Sequence, residues 1–347
     1  MKIKLKAENA LEWIALKFNL APRPLIDTQV SFNAARAIMA AAELGIFEAI
    51  GTHAKTADEI AQSCQTHQRS TKQLLDCLVG VGYLQWSGGR YSLKRTYQKW
   101  LLKGSEANLI EKLRFQLLEW NWIAKLEDYV RSGKPLELHS TFSEKEWELY
   151  QGAMRDLSFN AARELAGKIP VPKGAIRMLD IGGSHGLYSI EICKRHPDLM
   201  STILELPGAI ESAGAIAKRY DKTGRVNHVA GNALTADLGT NQYDLVMINN
   251  VVHHFTADQN RELAVKVARA LKPGGVYAIG DFILAEAPGE GGVVASTAGL
   301  YFSLTSLSGN WSSTEMESWQ KAAGLTPEKI VAAMSIPGWK MVIAKKS

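Results

Sequence analysis

The apolar positions of this chain follow a helical period through its first half and a strand-and-helix alternation through its second. Near the N-terminus, Leu11, Trp13, Ile14, Leu16 and Phe18 alternate with Glu8, Glu12 and Lys17 as an amphipathic helix. Pro22 and Pro24 are expected to end it. Residues 32–44 are Ala-rich and predict a helix stopped by Gly45. Thr56-Ala57-Asp58-Glu59 is a capping box for a short helix through Ala61. Ser70-Thr71-Lys72-Gln73 reads as a second capping box, whose helix turns Leu74, Leu75 and Leu78 inward and ends near Gly80 and Gly82. Residues 83–86 and 90–93 alternate like strands across Ser87-Gly88-Gly89, a hairpin signal. Helix, helix, helix, hairpin predicts a winged helix-turn-helix. Residues 109–130 predict one aromatic-rich helix, broken at Pro135. Ser143-Glu144-Lys145-Glu146 is a further capping box, opening a helix over 147–166. Pro170, Pro172 and Gly174 mark a linker.

Beyond the linker the period changes. Strands are predicted over 176–181, 201–204, 226–230, 243–248 and 276–283, and helices over 187–195, 208–220 and 258–271. Pro273-Gly274-Gly275 closes the last of these helices. A helix over 315–323 and strands over 325–332 and 339–344, joined by Pro337-Gly338, complete the chain. Such alternation implies a parallel sheet wrapped by helices, with ligands at the carboxyl ends of its strands.

Composition narrows the function classes. With 347 residues there is room for two domains with sizeable cores. The net charge of +5 demands neither a nucleic acid nor a membrane. The helix that would enter a DNA groove carries Lys72 offset by Asp76, with Arg69 just before it. Phosphate binding wants several cations on one face, so no nucleic acid partner is expected. Cys64, Cys77 and Cys193 are scattered and fit neither a disulfide framework nor zinc, which suits a reduced, cytoplasmic chain. The eight histidines show no metal-ligand spacing. Neither a signal-peptide core nor a membrane-spanning apolar run is present, and no membrane partner is expected.

The chemistry concentrates at strand ends. Asp180-Ile181-Gly182-Gly183-Ser184-His185-Gly186 follows the first strand of the second half and opens a helix. Glycines at such a turn let the backbone approach a ligand, and the helix end offers unpaired N–H donors. The Asp-x-Gly-Gly-x-x-Gly spacing differs from the dinucleotide fingerprint and leans towards S-adenosylmethionine (SAM), which has no pyrophosphate; a tight turn without a ligand is the bland reading. Glu205 ends the next strand, where a carboxylate can take both ribose hydroxyls. Gly231-Asn232-Ala233 follows the third strand, at an adenine-contacting place, and Asn249-Asn250 follows the fourth. His253 and His254 come next. A metal pair lacks further ligands, so His253 reads as a general base, and His254 as a residue behind the site or at the surface. Asp281, inside an apolar strand, could orient His253 or bond a turn. His185 reads as a solvent-facing turn residue.

Together with Leu204-Glu205-Leu206-Pro207, the run from Tyr243 to Phe255 and Leu271-Lys272-Pro273-Gly274-Gly275, these motifs resemble the class I SAM-dependent small-molecule O-methyltransferases of plant caffeate and bacterial antibiotic type. The resemblance runs from Phe32 to Lys345. It implies an α/β fold, a Rossmann-like class I methyltransferase sheet with an N-terminal, mostly helical winged-helix domain. It implies a dimerisation domain over 1–105, a helical connector over 106–170 contributing to the substrate pocket, and a SAM-binding catalytic domain over 171–347. It implies a homodimer that methylates a hydroxyl of an aromatic or polyketide-like small molecule; C- or N-methylation, a member without methyl transfer and a SAM- or DNA-binding regulator stand as alternatives. SAM would be held by Ser158, Asp180, Gly182, Gly183, Gly186, Glu205, Leu206, Asn232, Ala233 and Asn249. His253 would be the base and Asp281 its orienting acid, with Met154, Trp120 and Phe302 towards the acceptor and no metal. The chain departs from the family pattern at Ser184 (usually Gly), Asn232 (usually Asp), Asn249 (Lys in plant members) and His254 (usually Asp). A second orienting glutamate expected over 307–313 is missing.

Overall fold

A computed structural model describes residues 6–347 apart from Glu137, Ser140 and Gly291. Lys2 and Lys4 lie outside the described residues. The chain divides into two compact units at Leu118/Glu119.

The first unit is helical. Asn9 caps α1 (Ala10–Lys17), none of whose residues is buried. Pro22 and Pro24 do not close that helix. They open α2 (Arg23–Leu25), which runs through a π-helical turn into α3 (Ser31–Glu43). Proline suits a first helical turn, where its missing N–H leaves no bond unmade. α4 (Ile46–Ile50), α5 (Ala57–Cys64) and α6 (Gln68–Val81) follow. The Thr56 capping box is formed. The one expected at Ser70 is not: α6 starts earlier, and His67 accepts from the Ser70 N–H. β1 (Leu84–Ser87) and β2 (Arg90–Leu93) form an antiparallel hairpin across Gly88-Gly89, both at positive φ. That is the turn conformation that matches strand twist. Ile46, Phe47, Ile60, Leu75, Leu78 and Tyr91 fill the core between helices and hairpin. α7 (Arg95–Leu101) and α8 (Ile110–Ile123) complete the helices begun in this part.

The expected single helix over 109–130 is two, α8 and α9 (Leu126–Ser132), and α9 stops at left-handed Gly133 before Pro135 is reached. The second unit then has α10 (Glu144–Leu165), β3 (Arg177–Ile181), α11 (Leu187–Arg195), β4 (Met200–Glu205), α12 (Ile210–Tyr220), β5 (Val226–Ala230), β6 (Tyr243–Asn249), α13 (Ala257–Ala270) and β7 (Leu271–Phe282). α14 (Gly292–Thr305), α15 (Ser313–Ala322), β8 (Leu325–Ala332) and β9 (Trp339–Lys346) end the chain. The pattern missed α14 because Val, Ala, Gly, Ser and Thr surround it without an amphipathic stripe. Pro273-Gly274-Gly275 does not precede the strand. It bulges within β7, where the register steps from Tyr243–Leu271 to Leu245–Val276.

The seven strands run in the order β5-β4-β3-β6-β7-β9-β8. β3 to β7 are parallel, and β9 is antiparallel to both β7 and β8. The chain winds outward from β3 to β5, then returns to place β6 on the other side of β3. The switch point lies at the carboxyl ends of β3 and β6, where open α/β sheets bind ligands. Val246, Ile248, Leu263, Val267, Tyr277 and Ile279 belong to the core beneath it. Among the described residues no helix is long and apolar enough to cross a membrane.

α10 also bounds the region of the switch point, so its start matters. Ser143 Oγ accepts the Glu146 N–H at 3.3 Å, and the Glu146 carboxylate accepts the Ser143 N–H at 2.8 Å. Ser143→Ala is expected to lower stability by about 1 kcal/mol. A urea midpoint equal to that of the wild type would show that the cap does not hold this helix.

Candidate active site

The turn after β3 closes tightly. Gly182 has φ +65°, and a Cβ there would meet Val251 Cγ2 at 2.6 Å. A Cβ on Gly183 would meet Asp180 Cγ at 2.5 Å. Ser184 stands at φ +54°, where the family pattern has glycine. Its surroundings explain the exception: its N–H donates to Glu205 Oε2 at 2.9 Å, its carbonyl takes His228 Nε2 at 2.7 Å, and its hydroxyl bonds Gln151 Oε1 of α10. Gly186 lies outside the cavity and fits the turn against Ile203 of β4.

One cavity opens here, and Met154, Ser158, Asp180, Gly182, Gly183, Glu205, Leu206, Asn232, Ala233 and Asn249 all line it. The predicted cofactor residues are thus brought together, Gly186 excepted. The Asn232 side chain also accepts the Leu234 N–H. Glu205 is buried; its second oxygen accepts the Leu206 N–H at 2.7 Å, and burial pushes its carboxyl above the usual range. Asp180 accepts from Ser189 Oγ at 2.7 Å through Oδ2, while Oδ1 is buried without a partner. Asn249 is 8% exposed, and both polar atoms of its amide lack partners. Two buried carboxylates without a paired cation, a bare amide and a glycine cradle fit SAM. Asp180, Glu205, Asn249 and Ser158 offer the acceptors and donors that such a charged, hydroxyl-bearing molecule would need.

His185 is not solvent-facing. It is 1% exposed, since α10 covers the turn. Nδ1 accepts the Leu187 N–H at 3.2 Å. Burial pushes it down to about 4, so it is neutral.

At the other end, the turn after β6 carries the histidines. His253 is 2% exposed and is not among the cavity-lining residues. Its Nδ1 meets both Asp281 oxygens, at 2.8 and 3.0 Å, which puts its proton on Nδ1 and leaves Nε2 without a protein partner among the described residues. Phe302 of α14 lies against the ring, 4.2 Å between centroids. Trp120 does not line the cavity. The 307–313 stretch supplies no acid but braces the backbone: Ser308 N–H reaches the His253 carbonyl at 3.4 Å, and Trp311 Nε1 the Val252 carbonyl at 3.0 Å. His254, expected behind the site or at the surface, lines the cavity instead, with its ring 4.2 Å from that of His253. His139, which the sequence did not single out, lines it too. Trp147, Tyr150, Gln151, Met154 and Ser158 also face it, and their spacing is one stripe of α10. That periodicity was the available signal. No group of three metal-ligating side chains occurs among the described residues.

Asp180 gives a pH test. Burial first, then Glu205, push its carboxyl from 3.8 up to about 7. Between these values the folded chain holds the proton that the unfolded chain has lost, so this contribution to stability falls as pH rises across the window. Asp180→Asn is expected to flatten that fall for the ligand-free protein, measured by urea unfolding from pH 4 to 7 against wild type. Parallel curves would mean that Asp180 is ionised in the folded state throughout.

A family model described as an O-methyltransferase domain matches residues 129–325, and one described as an O-methyltransferase dimerisation domain matches residues 26–102. A 3-hydroxy-5-methyl-1-naphthoate 3-O-methyltransferase of Streptomyces sahachiroi is 26% identical over 333 residues, 93% of this chain and 94% of its own. The N,N-dimethyltransferase OxyT of Streptomyces rimosus is 25% identical over 272 residues, 75% of this chain and 78% of its own. The human N-acetylserotonin methyltransferase, solved in complex with SAM, aligns over 99% of this chain and 100% of its own with a TM-score of 0.82 at 17% identity, a likeness of fold. The strand-end residues and the glycine cradle thus sit in a chain that belongs to the O-methyltransferase family, a SAM-dependent methyltransferase with that family's dimerisation domain.

Proposed function

We propose that this protein methylates a hydroxyl of an aromatic or polyketide-like small molecule, with His253 as general base. SAM, when bound, supplies a methyl made electrophilic by its sulfonium. The observation that carries the reading is the buried His253–Asp281 pair, in which both carboxylate oxygens face Nδ1. The free Nε2 takes the hydroxyl proton, and Asp281 stabilises the imidazolium that results. Ser158, Asp180, Gly182, Gly183, Glu205, Leu206, Asn232, Ala233 and Asn249 hold the cofactor, with Gly186 fixing the turn. Met154 and the aromatic side chains beside it pack on the acceptor, and Phe302 supports the base. Asp281 touches only the base, so it is a positioning residue.

The division into 1–105, 106–170 and 171–347 belongs to the same proposal. It is supported by the α10 stripe, through which the middle segment contributes wall to the pocket. A homodimer through the N-terminal part is supported by the dimerisation-domain match and by Leu11, Trp13 and Phe18, all exposed on α1 or just beyond it. Three free cysteines suit the cytoplasm.

His253→Ala is expected to lower turnover by roughly 10²- to 10⁴-fold while SAM binding is kept. Labelled-methyl transfer checks the first and calorimetry the second; unchanged turnover would remove His253 from the mechanism. Gly183→Val drives a side chain into Asp180 and is expected to abolish measurable SAM affinity in the same calorimeter. Normal binding by that variant would mean the turn is not the cofactor site.

A further inference from the structure

Three imidazoles that the base mechanism does not use line the cavity, and one of them, His185, is committed to the Leu187 N–H. His254 and His139 both line it, and their rings meet edge to face at 4.7 Å. Neither ring makes a hydrogen bond or ion pair with protein among the described residues. The charges around them are unevenly placed. The carboxylates of Asp180 and Glu205 stand at the cofactor end, and no Lys or Arg lines the cavity. The histidines are therefore the groups in the cavity able to become positive. Among the described residues, the groups that face them are few. His253, backed by Asp281, packs on His254. Phe142, Trp147 and Tyr150 pack on His139. Tyr150 is itself held protonated by burial and by Glu205 and Glu119.

Burial first, then the neighbouring His253 ring, push His139 down to about 4. Burial, then His253 and His139, push His254 well below its usual value. Burial keeps both rings neutral at pH 7, and among the described residues no carboxylate bonds either of them. An anion brought in by the acceptor would supply that missing charge and draw a proton onto one ring. Resting on the reading of an aromatic hydroxyl acceptor, we propose that His254 and His139 form a recognition site for an anionic group on the acceptor, which is then a hydroxy-aromatic carboxylate rather than a neutral phenol. The His253 and His254 rings lie 4.2 Å apart between centroids, so the anionic group is expected close to the reacting hydroxyl.

The test uses the full-length protein loaded with S-adenosylhomocysteine, with 1-hydroxy-2-naphthoate and 1-naphthol as probes. Calorimetry at pH 7 in two buffers of different ionisation enthalpy is expected to report uptake of about one proton with the naphthoate and none with naphthol. His254→Gln keeps a neutral donor and is expected to lose the proton uptake. His254→Asp puts a like charge against the acid and is expected to weaken naphthoate binding at least about tenfold, a loss of about 1.4 kcal/mol. Naphthoate binding without proton uptake, binding no tighter than naphthol, or no binding of either probe overturns the anion site. Labelled-methyl transfer separates this inference from the reading beneath it. Methylation of naphthol as efficient as that of the acid leaves O-methylation standing and removes the anion site. Proton uptake on binding the acid without any methyl transfer to oxygen keeps the site and removes the O-methyl reading.

Discussion

Glu205 reaches from β4 to accept the backbone N–H of Ser184, and the shape of the cavity depends on that bond. Left-handed backbone costs a residue with a side chain roughly 1–2 kcal/mol. Three contacts oppose that cost at Ser184: the Glu205 carboxylate, the His228 ring and the Gln151 amide. Each is worth about 1 kcal/mol net, more where a carboxylate accepts. Their sum exceeds the strain, so serine does here what glycine does in relatives. The bonds also come from three elements, β4, β5 and α10. The turn is thus clamped from the sheet below and the helix above, and Gly183 is held against Asp180.

The clamp has an electrostatic consequence. It buries Asp180 and Glu205 side by side, and neither has a cationic partner. Buried carboxylates in that position shift upward in pKa or wait for a cation. Both shift upward here, with burial as the largest cause. The folded protein without ligand therefore carries a destabilised end, as functional sites commonly do. A sulfonium and an ammonium would relieve it. The orphaned Asn249 amide and Asp180 Oδ1 belong to the same pattern, since polar atoms are left bare where a ligand completes them.

The strand ends were legible because each requirement there is local. A turn that must admit backbone needs glycine, and a strand entering a buried sheet needs an apolar run, so Asp180 to Gly186, Glu205 and Asn249 stood out. The His253–Asp281 pair was readable for a related reason: a carboxylate within an apolar strand asks for a partner. What could not be read depends on distant chain. His185 looked exposed because nothing in its neighbourhood announces α10 above it. His254 looked secondary because the turn Val252–His254 decides which ring meets the cavity and which lies behind. His139 lies in a loop with no periodicity at all. α14 escaped because a helix of small and apolar residues has no polar face to reveal its period.

The lack of an acid over 307–313 and the presence of His254 bear on the same end of the cavity. His253 is oriented by a single carboxylate, through both of its oxygens, with Phe302 against the ring and residues 308–311 bracing the backbone. Packing and backbone bonds thus supply the fixation that a second acid would give. An acid in the 307–313 stretch would stand beside the His253 turn and lower the cost of charging His254 and His139 before any acceptor arrived. The two imidazoles would then be positive or paired in the resting protein, with their charge already spent on the protein itself. With no acid over 307–313 and with imidazole at 254, this end of the cavity carries no negative charge among the described lining residues. Asp180 and Glu205 place the carboxylates at the other end, so the cavity holds its two reactants apart in charge while the clamp at Ser184 holds them together in space.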